Sequence, residues 1–171
     1  MKKDISLVIP CYNEEGNINK LVEKCKNFLS IENSELILVN NGSSDNTKKI
    51  IEEYCKKNSK IKLVNIEENV GFGYGVFTGL KNSKNDILAY THADLQTDPN
   101  DVIKGLSLLS SENQFVKGIR VDKLKNEWSI FDIFISFCMT IFTSAVMRVF
   151  MNDIHAQPAI FHKSFFKTSF G

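Results

Sequence analysis

The stretch Asp86-Ile87-Leu88-Ala89-Tyr90-Thr91-His92-Ala93-Asp94-Leu95-Gln96-Thr97-Asp98-Pro99 decides how the chain is read. Asp86 to Tyr90 is a short apolar run of the kind that forms a buried strand. Downstream, Asp98 can cap a helix, Pro99 suits a first helical position and Asp101 falls in the first turn. The stretch is therefore a strand, a loop and a helix start, and it places Asp94 at the carboxyl end of a strand. Open α/β sheets bind their ligands at that end. On an extended chain His92, Asp94 and Gln96 share one side while Leu95 faces the core. That grouping suits a divalent cation carrying a phosphorylated ligand. The plainer alternative is that Asp98 only caps and Asp94 only bonds within its loop.

Working outward, the same alternation recurs. Ile5-Ser6-Leu7-Val8-Ile9-Pro10 is a strand rich in branched residues and stopped by proline. Cys11-Tyr12-Asn13-Glu14-Glu15-Gly16 is a polar loop, and Ile18, Leu21, Val22, Cys25, Phe28 and Leu29 recur at helical spacing. Glu35 to Val39 is a second strand, ending in Asn40-Asn41-Gly42-Ser43-Ser44-Asp45, where Ser44 or Asp45 can cap the next helix. That helix turns Ile50, Ile51, Tyr54 and Cys55 inward. Ile61 to Ile66 is a third strand, Asn69 to Gly79 a glycine-dense passage into a helix, and Val102, Ile103, Leu106 and Leu109 the inner face of another. Gln114 to Ile119 and Ala159 to Phe161 read as further strands. Such alternation predicts a three-layer α/β/α fold on a mostly parallel sheet.

The 171 residues correspond to one domain able to bury a core. A formal net charge of +1 gives no basic face for nucleic acid. Arg120 and Arg148 are the only arginines, which makes Arg120 a candidate for bidentate phosphate contact. Cys11, Cys25, Cys55 and Cys138 show no short pair spacing, as expected of reduced thiols in a cytoplasmic setting. Lys2 and Lys3 lead straight into a strand, so no signal peptide is expected. The end at Gly171, soon after a new element begins, suggests that a C-terminal portion is lacking.

Residues 128–151 differ from the rest. Ser129, Asp132, Ser136, Thr140, Thr143, Ser144 and Arg148 form one narrow polar stripe on an otherwise apolar helix. The uncharged part is shorter than the ~20 residues a membrane span needs. Three readings stay open: burial against the sheet, a membrane-interface or oligomer contact, and a true span.

Gly71-Phe72-Gly73-Tyr74-Gly75 lacks the third glycine of a dinucleotide fingerprint, and there is no Gly-Lys-Ser/Thr phosphate loop. These glycines suit a tight turn and close helix–sheet packing, or backbone contact with a ligand. Tyr12, Asn13 and Glu14 could hold a nucleobase by stacking and hydrogen bonds, or could simply cap the following helix. Asn41 could meet a base edge or merely close its turn. His155 and His162 lack partners at metal-ligand spacing.

Taken together, Leu7-Val8-Ile9-Pro10-Cys11-Tyr12-Asn13-Glu14, Ile37-Leu38-Val39-Asn40-Asn41-Gly42-Ser43-Ser44-Asp45-Asn46-Thr47, Asn69-Val70-Gly71 and His92-Ala93-Asp94-Leu95-Gln96 resemble the family 2 glycosyltransferases. Val116-Lys117-Gly118-Ile119-Arg120 and Asp153-Ile154-His155-Ala156-Gln157-Pro158 are similar to the branch of dolichol-phosphate mannose synthase and polyprenyl-phosphate sugar transferases. The resemblance implies a GT-A fold, an inverting hexosyl transfer and a UDP- or GDP-sugar donor. It implies a divalent metal, Mn²⁺ or Mg²⁺, held by Asp94 with His92, and nucleoside contacts from Pro10, Tyr12, Asn13, Glu14, Asn41 and Gly71. Asp153 and Gln157 would lie on the sugar or acceptor side, with Arg120 on phosphate. The acceptor would be a polyprenyl phosphate at the cytoplasmic face of a membrane, and Asp153 the base if it is a hydroxyl instead. Residues 128–151 could also join two copies of the chain.

Two departures stand out. His92 replaces the first Asp of the metal motif, and Asn40-Asn41 replaces an acidic pair. An imidazole still ligates transition metals, which favours Mn²⁺ over Mg²⁺. The Asn41 amide donates as well as accepts, which could alter base preference. A non-catalytic nucleotide-sugar-binding domain is the alternative these losses raise.

Overall fold

The computed structural model describes residues 4–110, 115–119, 130–147 and 156–165. The elements run β1 (Ile5–Cys11), α1 (Ile18–Lys24), α2 (Lys26–Leu29), β2 (Ser34–Asn41), α3 (Thr47–Lys57), β3 (Ile61–Ile66), α4 (Phe72–Lys81) and β4 (Ile87–Tyr90). They continue with α5 (Asp101–Leu108), β5 (Phe115–Lys117), α6 (Ile130–Met147) and β6 (Ala159–His162). Among the described residues the strands form a six-stranded sheet in the order β3-β2-β1-β4-β6-β5. The first four named in that order are parallel, β1 pairing Val8 with Ile37 and Tyr90 on its two sides. β6 runs antiparallel to both β4 and β5. The mostly parallel α/β expectation holds.

Alternation along the strands divides the core. Leu7, Ile9, Leu36, Leu38 and Ala89 face α1, α2, α3 and α5, whose Leu21, Phe28, Ile51 and Val102 are fully buried. Val8, Ile37, Val39 and Leu88 face α4, through Val76 and Leu80. Strands buried on both faces read as unbroken apolar runs, which is why β1 and β2 are legible in the sequence. Each such leucine or isoleucine contributes about 1.5–3 kcal/mol by leaving water.

Three local differences from expectation have physical causes. The single periodic helix expected from Ile18 to Leu29 breaks at Cys25, leaving α1 and α2. α4 begins at Phe72, inside the glycine-rich run, because Gly75 and Gly79 let the helix approach the sheet. A Cβ at Gly79 would lie within 2.9 Å of both Val8 Cγ1 and Val39 Cγ2. α5 starts at Asp101, with Asp98 capping the preceding turn by accepting the Asn100 N–H at 2.9 Å.

On α6, Phe134, Ile135, Phe137, Met139, Ile141 and Phe142 are exposed, while Thr140, Thr143 and Ser144 are half-buried. Among the described residues no helix is long and apolar enough to cross a membrane.

Candidate active site

The loops after β1, β2, β3 and β4 meet at the carboxyl end of the parallel strands. Their contacts are specified by side chains distant in sequence. In the first loop Asn13 adopts φ 54°, and its Oδ1 accepts the Ser44 N–H at 2.9 Å. Its own N–H donates to Ser43 Oγ at 3.1 Å. Asn13 thus ties the first loop to the second and does not cap α1. Glu14 and Glu15 continue the seam: their N–H groups donate to Thr47 Oγ1 at 2.8 Å and Asp45 Oδ2 at 3.1 Å. Asp45 also accepts the Thr47 N–H at 2.9 Å, so it caps α3. Burial raises the Asp45 pKa, but bonds from Thr47 and Glu15 outweigh that and hold it below the usual range. With the seam closed, Pro10 is buried and Tyr12 projects its ring, about half exposed.

Behind that ring lies a run of amides. Asn40 Nδ2 donates to Asn65 Oδ1 at 2.7 Å, and Asn40 Oδ1 accepts the Ser43 N–H at 3.3 Å. Asn41 Nδ2 donates to Asn69 Oδ1 at 3.3 Å and to the Gly71 carbonyl at 3.2 Å. Sequence reasoning gave no role to Asn65 or Asn69, whose partners lie 25 and 28 residues away. The motif Asn69-Val70-Gly71 was the available signal. Gly71 takes φ +110° at the head of α4, and neither Gly71 nor Gly73 would press a Cβ on anything within 4 Å.

The loop after β4 is not extended as the alternation reading assumed. Leu95 sits at φ 62°, and Asp94 Oδ1 accepts the Gln96 N–H at 3.0 Å, making a tight turn. Leu95 still packs toward the core. Asp94 and Gln96 are exposed, whereas His92 stacks on Phe72 with ring centroids 4.1 Å apart. His92 therefore lies against the head of α4, while Asp94 sits in the turn that follows, and the two do not line up on one side of a strand. Among the described residues no three His, Cys, Asp or Glu gather to hold a metal. One exposed carboxylate fits a cation that arrives with a nucleotide and draws its other ligands from phosphate and water.

Gln157 lies at the same end, because Ala159 pairs with both Tyr90 and Lys117. Its Oε1 is buried without a partner among the described residues. Arg120 and Asp153 lie outside the described residues. Beside the loops, Phe72, Val76, Leu80, Tyr90, Phe115 and Phe161 line an apolar cavity of about 440 Å³ that the sequence did not announce.

Comparison with known proteins accounts for this arrangement. The chain is 32% identical over 127 residues to undecaprenyl-phosphate 4-deoxy-4-formamido-L-arabinose transferase of Proteus mirabilis, covering 72% of this chain and 39% of the relative. It is 29% identical to dolichol-phosphate mannosyltransferase of Pyrococcus furiosus, covering 69% and 35% respectively. The chain thus spans well under half the length of these curated relatives. Its fold matches that of the mannosyltransferase PcManGT from Pyrobaculum calidifontis, solved with GDP-Man and Mn²⁺ (TM-score 0.70, 16% identity, 100% of this chain and 48% of that one). It also matches glucosyl-3-phosphoglycerate synthase from Mycobacterium tuberculosis, solved with Mn²⁺ and UDP (TM-score 0.66, 19% identity, 95% and 57%). Both are GT-A folds. The sequence model of Glycosyl transferase family 2 matches residues 6–170, so the chain belongs to that family.

Proposed function

We propose that the chain transfers a sugar, with inversion, from a UDP- or GDP-sugar to a polyprenyl phosphate at the cytoplasmic face of a membrane. The observation that carries this reading is the gathering of four strand-end loops at one end of the sheet, one bearing the exposed Asp94 and two others bearing Tyr12 and Asn41. Tyr12 offers a face for base stacking over buried Pro10. Asn13, by holding the Ser44 N–H, and Glu14, by holding Thr47, keep the first two loops in register for the nucleoside. Gly71 and Gly73 leave room at the positive end of α4 for phosphate to approach. Asp94 would hold the divalent metal, Mn²⁺ or Mg²⁺, with His92 beside it. When bound, that cation would supply charge to the departing diphosphate, where most negative charge develops.

A lipid phosphate is an anionic nucleophile and needs no general base. For a hydroxyl acceptor, Asp153 would be the base, with Gln157 on the sugar or acceptor side and Arg120 in contact with phosphate. The named polyprenyl-phosphate relatives and the exposed aromatic residues of α6 support a lipid acceptor. The same apolar surface could pair two copies of the chain. The test is product analysis after incubation with UDP- and GDP-sugars, Mn²⁺ and a polyprenyl phosphate. An anomer opposite in configuration to the donor is expected, and a retained anomer contradicts the mechanism.

A further inference from the structure

We infer that the apolar chamber beside α4 seats the first isoprene units of a prenyl phosphate, with the Lys117 ammonium meeting the head group at its rim. The inference rests on the lipid-acceptor reading above and deepens it, by placing the acceptor's tail on named residues. The chamber measures about 440 Å³. Close-packed interiors leave few voids larger than a water molecule, so a gap of this size is no packing defect. It falls in the range of ligand pockets, roughly 300–1,000 Å³. Phe161 makes its floor. Phe115 stacks on Phe161 with ring centroids 5.8 Å apart and planes at 13°, and Tyr90 meets Phe161 edge-on at 6.5 Å. Val76, Phe77 and Leu80 of α4 form one wall. The far side is open, where Phe115 is 44% exposed.

The sheet explains why this face has room. Among the described residues α4 packs on β1, β2 and β3, while α5 covers β5 and β6 from the other side. There Gly105 brings α5 so close that an added Cβ would collide with Ile160. The α4 side of β4, β6 and β5 is left to the aromatic rings. Along β5, Phe115 faces the chamber, Val116 faces the core beneath, and Lys117 returns by alternation to the chamber side. Ala159 pairs with both Lys117 and Tyr90, whereas Phe161 pairs with Phe115 and Leu88. Lys117 therefore stands one row nearer the carboxyl end of β4, toward the loop that carries His92 and Asp94. Phe72 joins chamber and loop, because its ring lines the one and stacks on His92 of the other at 4.1 Å. Rings below and a cation above, on the side of the candidate metal loop, match an amphiphile with one anionic head. A nucleotide or free sugar has no apolar part to cover those rings. A prenyl chain does, and each buried methylene adds to its affinity.

The test measures dissociation constants of farnesyl phosphate, geranyl phosphate, farnesol and inorganic phosphate by calorimetry, for the wild type and three variants. Farnesyl phosphate should bind about tenfold or more tightly than geranyl phosphate, through its extra isoprene unit, and about tenfold more tightly than farnesol. Inorganic phosphate should not compete at equal concentration. Phe115→Ser removes a ring from the open side and should weaken farnesyl phosphate about tenfold, with UDP affinity unchanged. Gly73→Leu puts a side chain where a Cβ meets nothing within 4 Å, so it fills the chamber without strain. It should weaken farnesyl phosphate likewise while the melting temperature holds. Lys117→Gln should bring farnesyl phosphate down to the level of farnesol. Unchanged farnesyl phosphate binding in both Phe115→Ser and Gly73→Leu overturns the inference and leaves the lipid-acceptor reading standing. So does a Phe115→Ser variant that loses self-association but not prenyl binding, since a second copy then covers the chamber. Failure of the wild type to bind any prenyl phosphate overturns the lipid-acceptor reading and this inference with it.

Discussion

At Glu35 a carboxylate is fully enclosed where β2 begins, far from the strand ends that carry the candidate site. Its oxygens take the Ser6 hydroxyl at 2.7 Å, the Lys84 N–H at 3.1 Å and the Lys62 ammonium at 2.5 Å. Burial pushes its pKa up, but these bonds outweigh burial and hold it below the usual glutamate value. A folded-state pKa below the unfolded one gives stability that is present above the unfolded pKa and lost as pH falls through the folded one. Urea melts at about pH 7 and about pH 4 should therefore show wild type losing stability to acid, and Glu35→Gln losing less. An equal acid loss in the variant contradicts the assignment. His92 is a second residue-scale case. Its stack on Phe72 is worth about 0.5–1.5 kcal/mol, which His92→Ala should lose in a urea melt. His92→Asp should narrow the preference for Mn²⁺ over Mg²⁺ in nucleotide-binding titrations, because a hard carboxylate replaces an imidazole. If the preference stays unchanged, His92 does not touch the metal.

Among the elements, α4 separates packing glycines from open ones. Gly79→Ala drives a methyl into Val8 and Val39 and should cost about 1–3 kcal/mol. Gly73→Ala meets nothing within 4 Å and should be neutral or stabilise by up to about 1 kcal/mol. Thermal melts of the two variants check the contrast, and equal destabilisation would contradict the packing described for α4. This element also marks a limit of sequence reading. Four glycines from Gly71 to Gly79 argue against a helix by propensity, yet the close fit of Gly75 and Gly79 on the sheet overrides it. Strand interiors posed no such conflict, so β1 to β4 were legible almost to the residue. The turn at Leu95 was not, because a left-handed branched residue is imposed by its surroundings and leaves no mark in local composition.

Across the whole molecule, the mostly parallel sheet and the gathering of loops at one end of it follow from the alternation of apolar runs and polar loops. The four-motif series named the family before any coordinates did. The cross-loop seam from Asn13 to Ser44 and the pairing of Asn40 with Asn65 were hidden, because each joins residues 25 or more apart. Pattern reading sees neighbours at periods of two or four and has no access to such pairs. The exposed row from Phe134 to Phe142 leads to a prediction at this scale. Phe137→Ser with Phe142→Ser should reduce co-sedimentation with phospholipid vesicles without changing nucleotide affinity, and unchanged co-sedimentation removes α6 as the lipid-facing surface. The central claim is that Asp94 carries the metal on which nucleotide-sugar binding depends. Binding of labelled UDP- and GDP-sugars, with Mn²⁺ and with chelator, to wild type and Asp94→Ala tests it most directly. Manganese should tighten wild-type binding about tenfold or more, the size of a lost charge-assisted contact, and should leave the variant unchanged. Equal tightening by manganese in Asp94→Ala would contradict the account.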